Sequence, residues 1–388
     1  MGIALNIGIA RFTYGAILPS LRRDLGIDYL AGGSLNAIHL AGYLIGTLFA
    51  PSLARWGSMR NLSIGAHLLV AAGALACAAA PSGTATGLGV LALGRLVTGL
   101  GAGAGIVAIL VLVFDAVSAR SRPLVSAIVW SGMGLAVITS GLAISWLTEP
   151  QIGWRSTFLI AALVAVAVAF LLPRRAVPAT GTVAPPLSGG GQFAVRQLVS
   201  SRWRFLTAGY LLFGIGYIAY STFAGARLAA TQASLMLIGA TWTVFGLAAI
   251  IGAGLSVVVI HSTRFRQWAL IGALASAAIG SSIAVGDAAA AAIVGALLVG
   301  LGLAATPSII SARTRDRCDA DTYPAAFSLM SAALGIGQLV GPVAAGALAD
   351  LFGTAVVPLF AAGAYAAAAL CAWLDGRWEV VDSDGATS

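Results

Sequence analysis

The chain has 388 residues, of which 59% are hydrophobic and only 9% charged, with a mean hydropathy of +0.97. A soluble domain carries about a quarter charged residues, so this composition cannot clothe a water-exposed surface and a membrane protein is expected. All 21 basic residues are Arg, against 13 acids, and the net charge of +8 is read as orientation and lipid-headgroup contact rather than nucleic-acid binding.

A spanning helix takes roughly 20 apolar residues, so about twelve would use most of the chain and leave no room for an ordinary soluble domain. Each run must be helical, because backbone amides in hydrocarbon need internal partners and an outer-membrane barrel would show short alternating segments. The first run, residues 2–18, contains Arg11 and Tyr14. It has no basic stretch ahead of its apolar part, so it reads as a retained helix, with Met1 either at the interface or preceded by an upstream start. The second, 30–53, sets Asn36, His39 and Tyr43 at i, i+3 and i+7, on one side of a helix. His39 is the best proton carrier inside an apolar run, since an unperturbed imidazole titrates near pH 6.5; a satisfied structural histidine is the other reading. The third run, 62–80, holds His67, a weaker candidate. The fourth, 86–113, carries Arg95 and then Gly99, Gly101, Gly103 and Gly105. These glycines follow no strand and continue an apolar helix, so they read as close helix contacts and not as a phosphate loop. The fifth run, 124–147, brings Trp130, and the sixth is 154–172.

Residues 174–203 contain Pro178, Pro185, Pro186 and three consecutive glycines from Gly189, with no acid, and read as a flexible linker whose Arg residues meet anionic lipid. In the seventh run, 205–223, Tyr210, Phe213, Tyr217 and Tyr220 share a face. The eighth, 234–260, carries Trp242. The ninth and tenth are 268–285 and 289–310. The eleventh, 325–348, presents Ser328, Ser331, Gly335 and Gln338 as a polar, small-residue stripe; the twelfth is 354–374, before a tail at 376–388. The expected fold is therefore an all-α integral membrane protein of twelve transmembrane helices in two six-helix pseudo-symmetric halves, 1–173 and 204–375, joined by the linker.

Fifteen Arg fall in loops on one side of these runs, and four, Arg22, Arg23, Arg155 and Arg227, on the other. The positive-inside rule then puts both termini and the linker in the cytoplasm. An offset of 206 brings Gly8 onto Gly214, Gly46 onto Gly252, Arg60 onto Arg266 and Gly94 onto Gly300, so the halves read as a parallel repeat with a midplane site between them. By the same offset Arg11 falls on Tyr217 and Arg95 on Leu301, which confines positive charge to the first half and phenols to the second. Cys77, Cys318 and Cys371 give neither a disulfide framework nor metal-type spacing.

Gly94-Arg95 with the following glycines, Gly153-Trp154-Arg155 with Phe158, and Gly335 through Gly341-Pro342 with Gly346 resemble motifs of the major facilitator superfamily. Within it, Gly8 to Tyr14 through Leu18-Pro19, together with Gly214 to Ile218, is similar to the bacterial YbfB/YjiJ-type branch. The resemblance implies that helices one and four line a central cavity, that the protein sits in the bacterial inner membrane, and that it works as a monomer. Two departures stand out. Ala54 occupies the place of the acid that normally precedes Arg55-Trp56-Gly57, which puts a cytoplasmic charge latch in doubt. The fifth helix has Gly134 and Gly141 but no Gly-Pro pair.

An Arg near the bilayer centre costs about 2.5–3.5 kcal/mol on insertion scales. No apolar run holds an Asp or Glu to repay that for Arg11 or Arg95. Each guanidinium either grips a ligand carboxylate, sulfonate or phosphate, or caps carbonyls and stabilises packing. With Tyr14, Asn36, Tyr217, Tyr220, Trp130, Trp242 and Gln338 as cavity candidates, the pattern suits a small organic anion with an apolar or aromatic body; helix-to-helix packing is the other reading for each. No Walker motif, zinc pattern or catalytic triad is present, so neither cofactor nor enzymatic activity is expected. The expected function is secondary or facilitative transport of an organic anion by alternating access. Efflux of lipophilic compounds is the alternative, and a receptor or scaffold a more distant one.

Overall fold

The computed structural model describes residues 12–54, 58–115, 117–118, 132, 134–142, 153–171, 200, 202–259, 263–319 and 322–385. Every regular element among them is helical: α1 (Thr13–Leu25), α2 (Tyr29–Ala54), α3 (Met59–Ala79), α4 (Ala85–Asp115), α5 (134–142), α6 (Arg155–Leu171), α7 (Arg204–Ala230), α8 (Leu235–Val259), α9 (Thr263–Ile283), α10 (Ala289–Asp316), α11 (Tyr323–Phe352) and α12 (Val356–Gly385). Eight of them, α2, α3, α4, α7, α8, α10, α11 and α12, are long and apolar enough to cross a bilayer. Large apolar side chains such as Leu163, Phe170, Met236 and Val258 stand exposed around the outside, as a lipid-facing surface requires.

Helices α1, α7, α10 and α12 run at least six residues past the apolar runs that predict them. The first run ends at Leu18, yet α1 continues through Pro19 and two arginines to Leu25. What stops it is Gly26, whose φ of 64° lets its N–H turn back to the Arg22 carbonyl. Likewise α12 continues to Gly385, beyond the expected end at residue 374. Loss of apolar character marks where a helix leaves hydrocarbon, whereas helical hydrogen bonding persists until a breaker intervenes.

Helices α1–α6 and α7–α12 form the two halves, and close glycine contacts show how they correspond. In the first half a Cβ on Gly73 would press on Gly94 and Thr98; in the second, one on Gly280 would press on Gly295 and Val299. Gly101 sits on Ala66 as Gly302 sits on Ala273, and Gly46 on Leu100 as Gly252 on Leu301. The offset is therefore 206 for α2 and α8, 207 for α3 and α9, but 201 for α4 and α10. This corrects one expectation: Gly94 corresponds to Gly295, not Gly300, and Arg95 to Ala296, not Leu301. The second half reaches its fourth helix about six residues sooner, a change confined to one turn that a single offset cannot express.

The halves meet along α1/α7, α2/α11 and α5/α8. Gly33 of α2 lies against the Pro342 carbonyl of α11, and the symmetry-related Gly239 of α8 lies against Gly141 of α5. Pro342 thus stands where α5 has Gly141. Added Cβ atoms at Gly15 and Gly225 would likewise meet α7 and α1 backbone. All of these contacts bring the halves together toward the end that carries the α1–α2 turn. There the Asp350 carboxylate of α11 accepts the Tyr29 and Leu30 N–H groups, at 2.8 and 2.7 Å, so one half supplies the amino-terminal cap of a helix in the other.

Every ion pair between described residues lies within one half. At the α2–α3 end, Arg266 pairs with Asp316, while Arg313 and Arg317 share the buried Asp375, at 2.7 and 2.8 Å. The charges gathered there join α9, α10 and α12 of the second half to one another. Ala54, which stands at the acid's place in the superfamily loop, ends α2; the Arg55-Trp56-Gly57 stretch that follows lies outside the described residues, as does most of the linker.

Candidate functional site

The first half contributes a polar node at the seam. Arg95 of α4 is fully buried, and its Nη2 donates to the Asn36 side-chain oxygen at 2.9 Å. Asn36 in turn donates through Nδ2 to the Thr222 hydroxyl of α7 at 2.8 Å, and the Thr222 hydroxyl donates to the Ile218 carbonyl at 2.6 Å. A continuous chain of hydrogen bonds therefore runs from α4 through α2 into the other half. The guanidinium also lies 4.4 Å from the Tyr14 ring centre, and Tyr14 donates its hydroxyl to the Gly32 carbonyl at 2.7 Å. The Asn36 amide oxygen and the Tyr14 π-face help offset the cost of burying the charge. Nδ1 of His39 lies 3.3 Å from the Arg95 carbonyl and 3.2 Å from the Thr98 hydroxyl, one helical turn from Asn36.

The second half answers with rings. Tyr210, Phe213 and Tyr217 stack along α7, with centres 6.2 and 5.4 Å apart, and Tyr365 of α12 joins Phe213 at 6.1 Å. One turn on, Tyr220 meets Phe245 of α8 at 5.9 Å; Phe245 is flanked by Trp242 at 5.9 Å and by Phe12 of the first half at 6.4 Å. Beside them, the Thr13 and Ser140 hydroxyls lie 2.6 Å apart and tie α1 to α5. Trp242 is 2% exposed, and its Nε1 has no hydrogen-bond partner among the described residues. A buried indole N–H without an acceptor is costly, and an incoming ligand oxygen would satisfy it.

The repeat gives these two surfaces a common origin. At the α2/α8 offset of 206, Asn36 corresponds to Trp242 and His39 to Phe245; Tyr14 of α1 corresponds to Tyr220 of α7. The equivalent α2 and α8 positions thus carry hydrogen-bonding groups in the first half and aromatic groups in the second, whereas Tyr14 and Tyr220 are alike and Arg95 corresponds to the small Ala296. The seam thus has a polar surface on one side and a ring-lined surface on the other.

Of the residues singled out in the sequence, Tyr14, Asn36, His39 and Arg95 come together in one node, and Tyr217, Tyr220 and Trp242 belong to one aromatic wall. Gln338 is buried at the α7–α11 contact, its backbone close to Gly214. Arg11 and Trp130 lie outside the described residues. His67 keeps to α3, with Nδ1 2.6 Å from the Ser63 carbonyl. The sequence reading missed Thr222, Tyr365, Phe12 and Phe245. Only Phe245 had a legible signal, as the repeat partner of His39; the others owe their place to the approach of helices distant in sequence.

The family described as uncharacterised MFS-type transporter YbfB matches residues 3–374. The chain is 30% identical over 237 residues to the gallate transporter of Pseudomonas putida, covering 53% of this chain and 51% of that protein. It is 26% identical over 185 residues to a chloramphenicol resistance protein of Streptomyces lividans, covering 47% and 46%. The match spans about half the length of each of these curated relatives. Among solved structures, a variant of the nucleoside transporter NupG superposes with a TM-score of 0.76 over 96% of this chain and 98% of its own, at 12% identity, a likeness of fold.

Proposed function

Because the chain belongs to the MFS-type transporter family described for YbfB, we propose that this multi-pass membrane protein carries a small organic anion with an aromatic body, an aromatic carboxylate, across the bacterial cytoplasmic membrane by alternating access. The observation that carries the reading is the sign of the buried charge. Among the described residues the one buried acid is Asp375, engaged by Arg313 and Arg317 at the α2–α3 end, whereas the seam holds Arg95. An anion finds a counter-charge between the halves and a lipophilic cation does not. The opposing aromatic wall takes the body of the ligand, and the unpartnered Trp242 N–H takes an oxygen. That the related Pseudomonas putida protein is a gallate transporter supports this substrate class.

In this reading Arg95 has a double part. Its bond to Asn36 couples the charge to α7 through Thr222, so a ligand oxygen drawn to the guanidinium loosens or tightens the seam. His39, beside the same node, is the proton-carrying candidate. The Arg bias of the loops assigns the α2–α3 end and the termini to the cytoplasm, so the closed α1–α2 end faces outward.

The test is solute counterflow in proteoliposomes with hydroxybenzoates, aliphatic dicarboxylates, chloramphenicol and a lipophilic cation. Exchange of hydroxybenzoates alone supports the reading. Movement of chloramphenicol with none of the acids would replace it with lipophilic efflux, the reading favoured by the similarity to a chloramphenicol resistance protein.

A further inference from the structure

Arg is scarce at the α1–α2 end, and the four residues found there divide into two kinds. Arg155 pairs with Asp24, which also accepts from Trp154 and Ser82, and Arg227 pairs with Asp287 and the Val285 carbonyl. Arg22 and Arg23 have no acidic partner among the described residues. The Arg22 guanidinium lies 3.2 Å from the Tyr29 ring centre, and its Nε is shut from solvent without a hydrogen-bond partner; Arg23 reaches only the Pro19 carbonyl, at 3.4 Å. The remaining described acids at this end are committed elsewhere, Asp28 to the Ala31 N–H and Asp350 to Tyr29 and Leu30.

Both unpaired arginines line one cleft of about 350 Å³, open at its mouth, between α1 of the first half and the α7–α8 turn of the second. Ser20 and Gln232 add polar groups, and no acid lines it. Gln232 holds a left-handed φ of 58°, uncommon for a residue with a side chain, where the chain turns into α8. The floor is Ala16, next to the contact that closes α1 on α7. Lone cations at a cleft over the seam of a transporter raise the local concentration of anions and speed their arrival.

We propose that Arg22 and Arg23 form an anion-docking vestibule in this cleft, the station that a carboxylate-bearing solute occupies at the closed end before the halves part. The inference rests on the organic-anion reading and adds a second site to it, outside the seam node. A guanidinium grips a carboxylate and a lipid phosphate by the same paired N–H bonds, and the vestibule is assigned to the solute.

The experiment follows phenylglyoxal modification of Arg22 and Arg23 by mass spectrometry in liposomes of phosphatidylcholine alone, with benzoate or neutral benzamide as the probe. Benzoate is expected to slow modification of both residues several-fold while benzamide does not. Equal protection by both probes, or by neither, overturns the vestibule. So does protection by added phosphatidylglycerol that benzoate cannot increase, which makes the pair a headgroup site. In flux assays, R22Q/R23Q is expected to raise the KM for benzoate by about three- to ten-fold at unchanged maximal rate and to flatten its salt dependence, whereas R22K/R23K keeps the salt dependence but only part of the affinity, because an ammonium lacks the planar fork that pairs with a carboxylate. Protection without any benzoate flux sinks the transport reading and leaves the docking site standing. Flux without protection sinks the docking site alone.

Discussion

At the scale of residues, the proposed substrate preference can be tested one atom at a time. The indole N–H of Trp242 is buried without an acceptor, so Trp242→Phe keeps a ring in place and removes only the donor. A hydrogen bond to a charged group contributes about 1.5–3 kcal/mol. The variant is therefore expected to bind aromatic carboxylates at least about tenfold more weakly, with chloramphenicol or neutral analogues unaffected, as read by thermal shift against ligand concentration. Asp24 illustrates a purely structural carboxylate. Partial burial pushes its pKa up, but hydrogen bonds from Arg155, Ser82 and Trp154, with the Arg155 charge, outweigh that and hold it below the ordinary range. A depressed folded-state value means that its contribution is complete above the unfolded pKa, near 4, and is lost as pH falls through the folded one. The melting-temperature gap between wild type and Asp24→Asn is thus expected to stay constant above about pH 5 and to close in more acidic buffer.

At the scale of helices, close approach decides which parts can move. Gly33 against the Pro342 carbonyl and Gly141 against the Gly239 carbonyl lie at helix crossings related by the pseudo-symmetry, and neither Gly33 nor Gly141 has room for a methyl group. Gly33→Ala is expected to keep the halves from closing at the α1–α2 end and to cut counterflow by about tenfold or more, in protein that still purifies as a single species. Gly65→Ala on α3, where an added Cβ meets nothing within 4 Å, serves as the control and should transport normally. Equal loss in both variants would remove the special role of the seam glycine. The sequence revealed these glycines as small residues in apolar runs, but not which helix each one faced.

For the whole molecule, the proposed alternating access makes the polar bonds that join the halves a testable element of the balance between two open states. Asp350 caps α2 from the other half through two backbone N–H groups, and removing a helix cap costs about 0.5–2 kcal/mol. Asp350→Ala should therefore shift the population toward the state open at the α1–α2 end by roughly two- to thirty-fold. Spin-label distances between the α1–α2 and α11–α12 turns would lengthen accordingly; an unchanged distribution would show that apolar packing alone holds that end shut. By itself the sequence determined the class of protein, the apolar runs, the two-half repeat and the shared face of Asn36 and His39. Hydrocarbon admits only helices with satisfied backbones, and helical periodicity is a local property that composition and spacing express. Only the tertiary structure decided that Asn36 bridges Arg95 to Thr222, that Arg95 corresponds to Ala296, that Asp350 caps a helix some 320 residues away in the chain, and that two of the four arginines at the α1–α2 end have no acidic partner among the described residues. Each of these depends on the axial register between helices far apart in sequence. That register is set by side-chain interlocking and turn length across the bundle, which no single run of residues encodes.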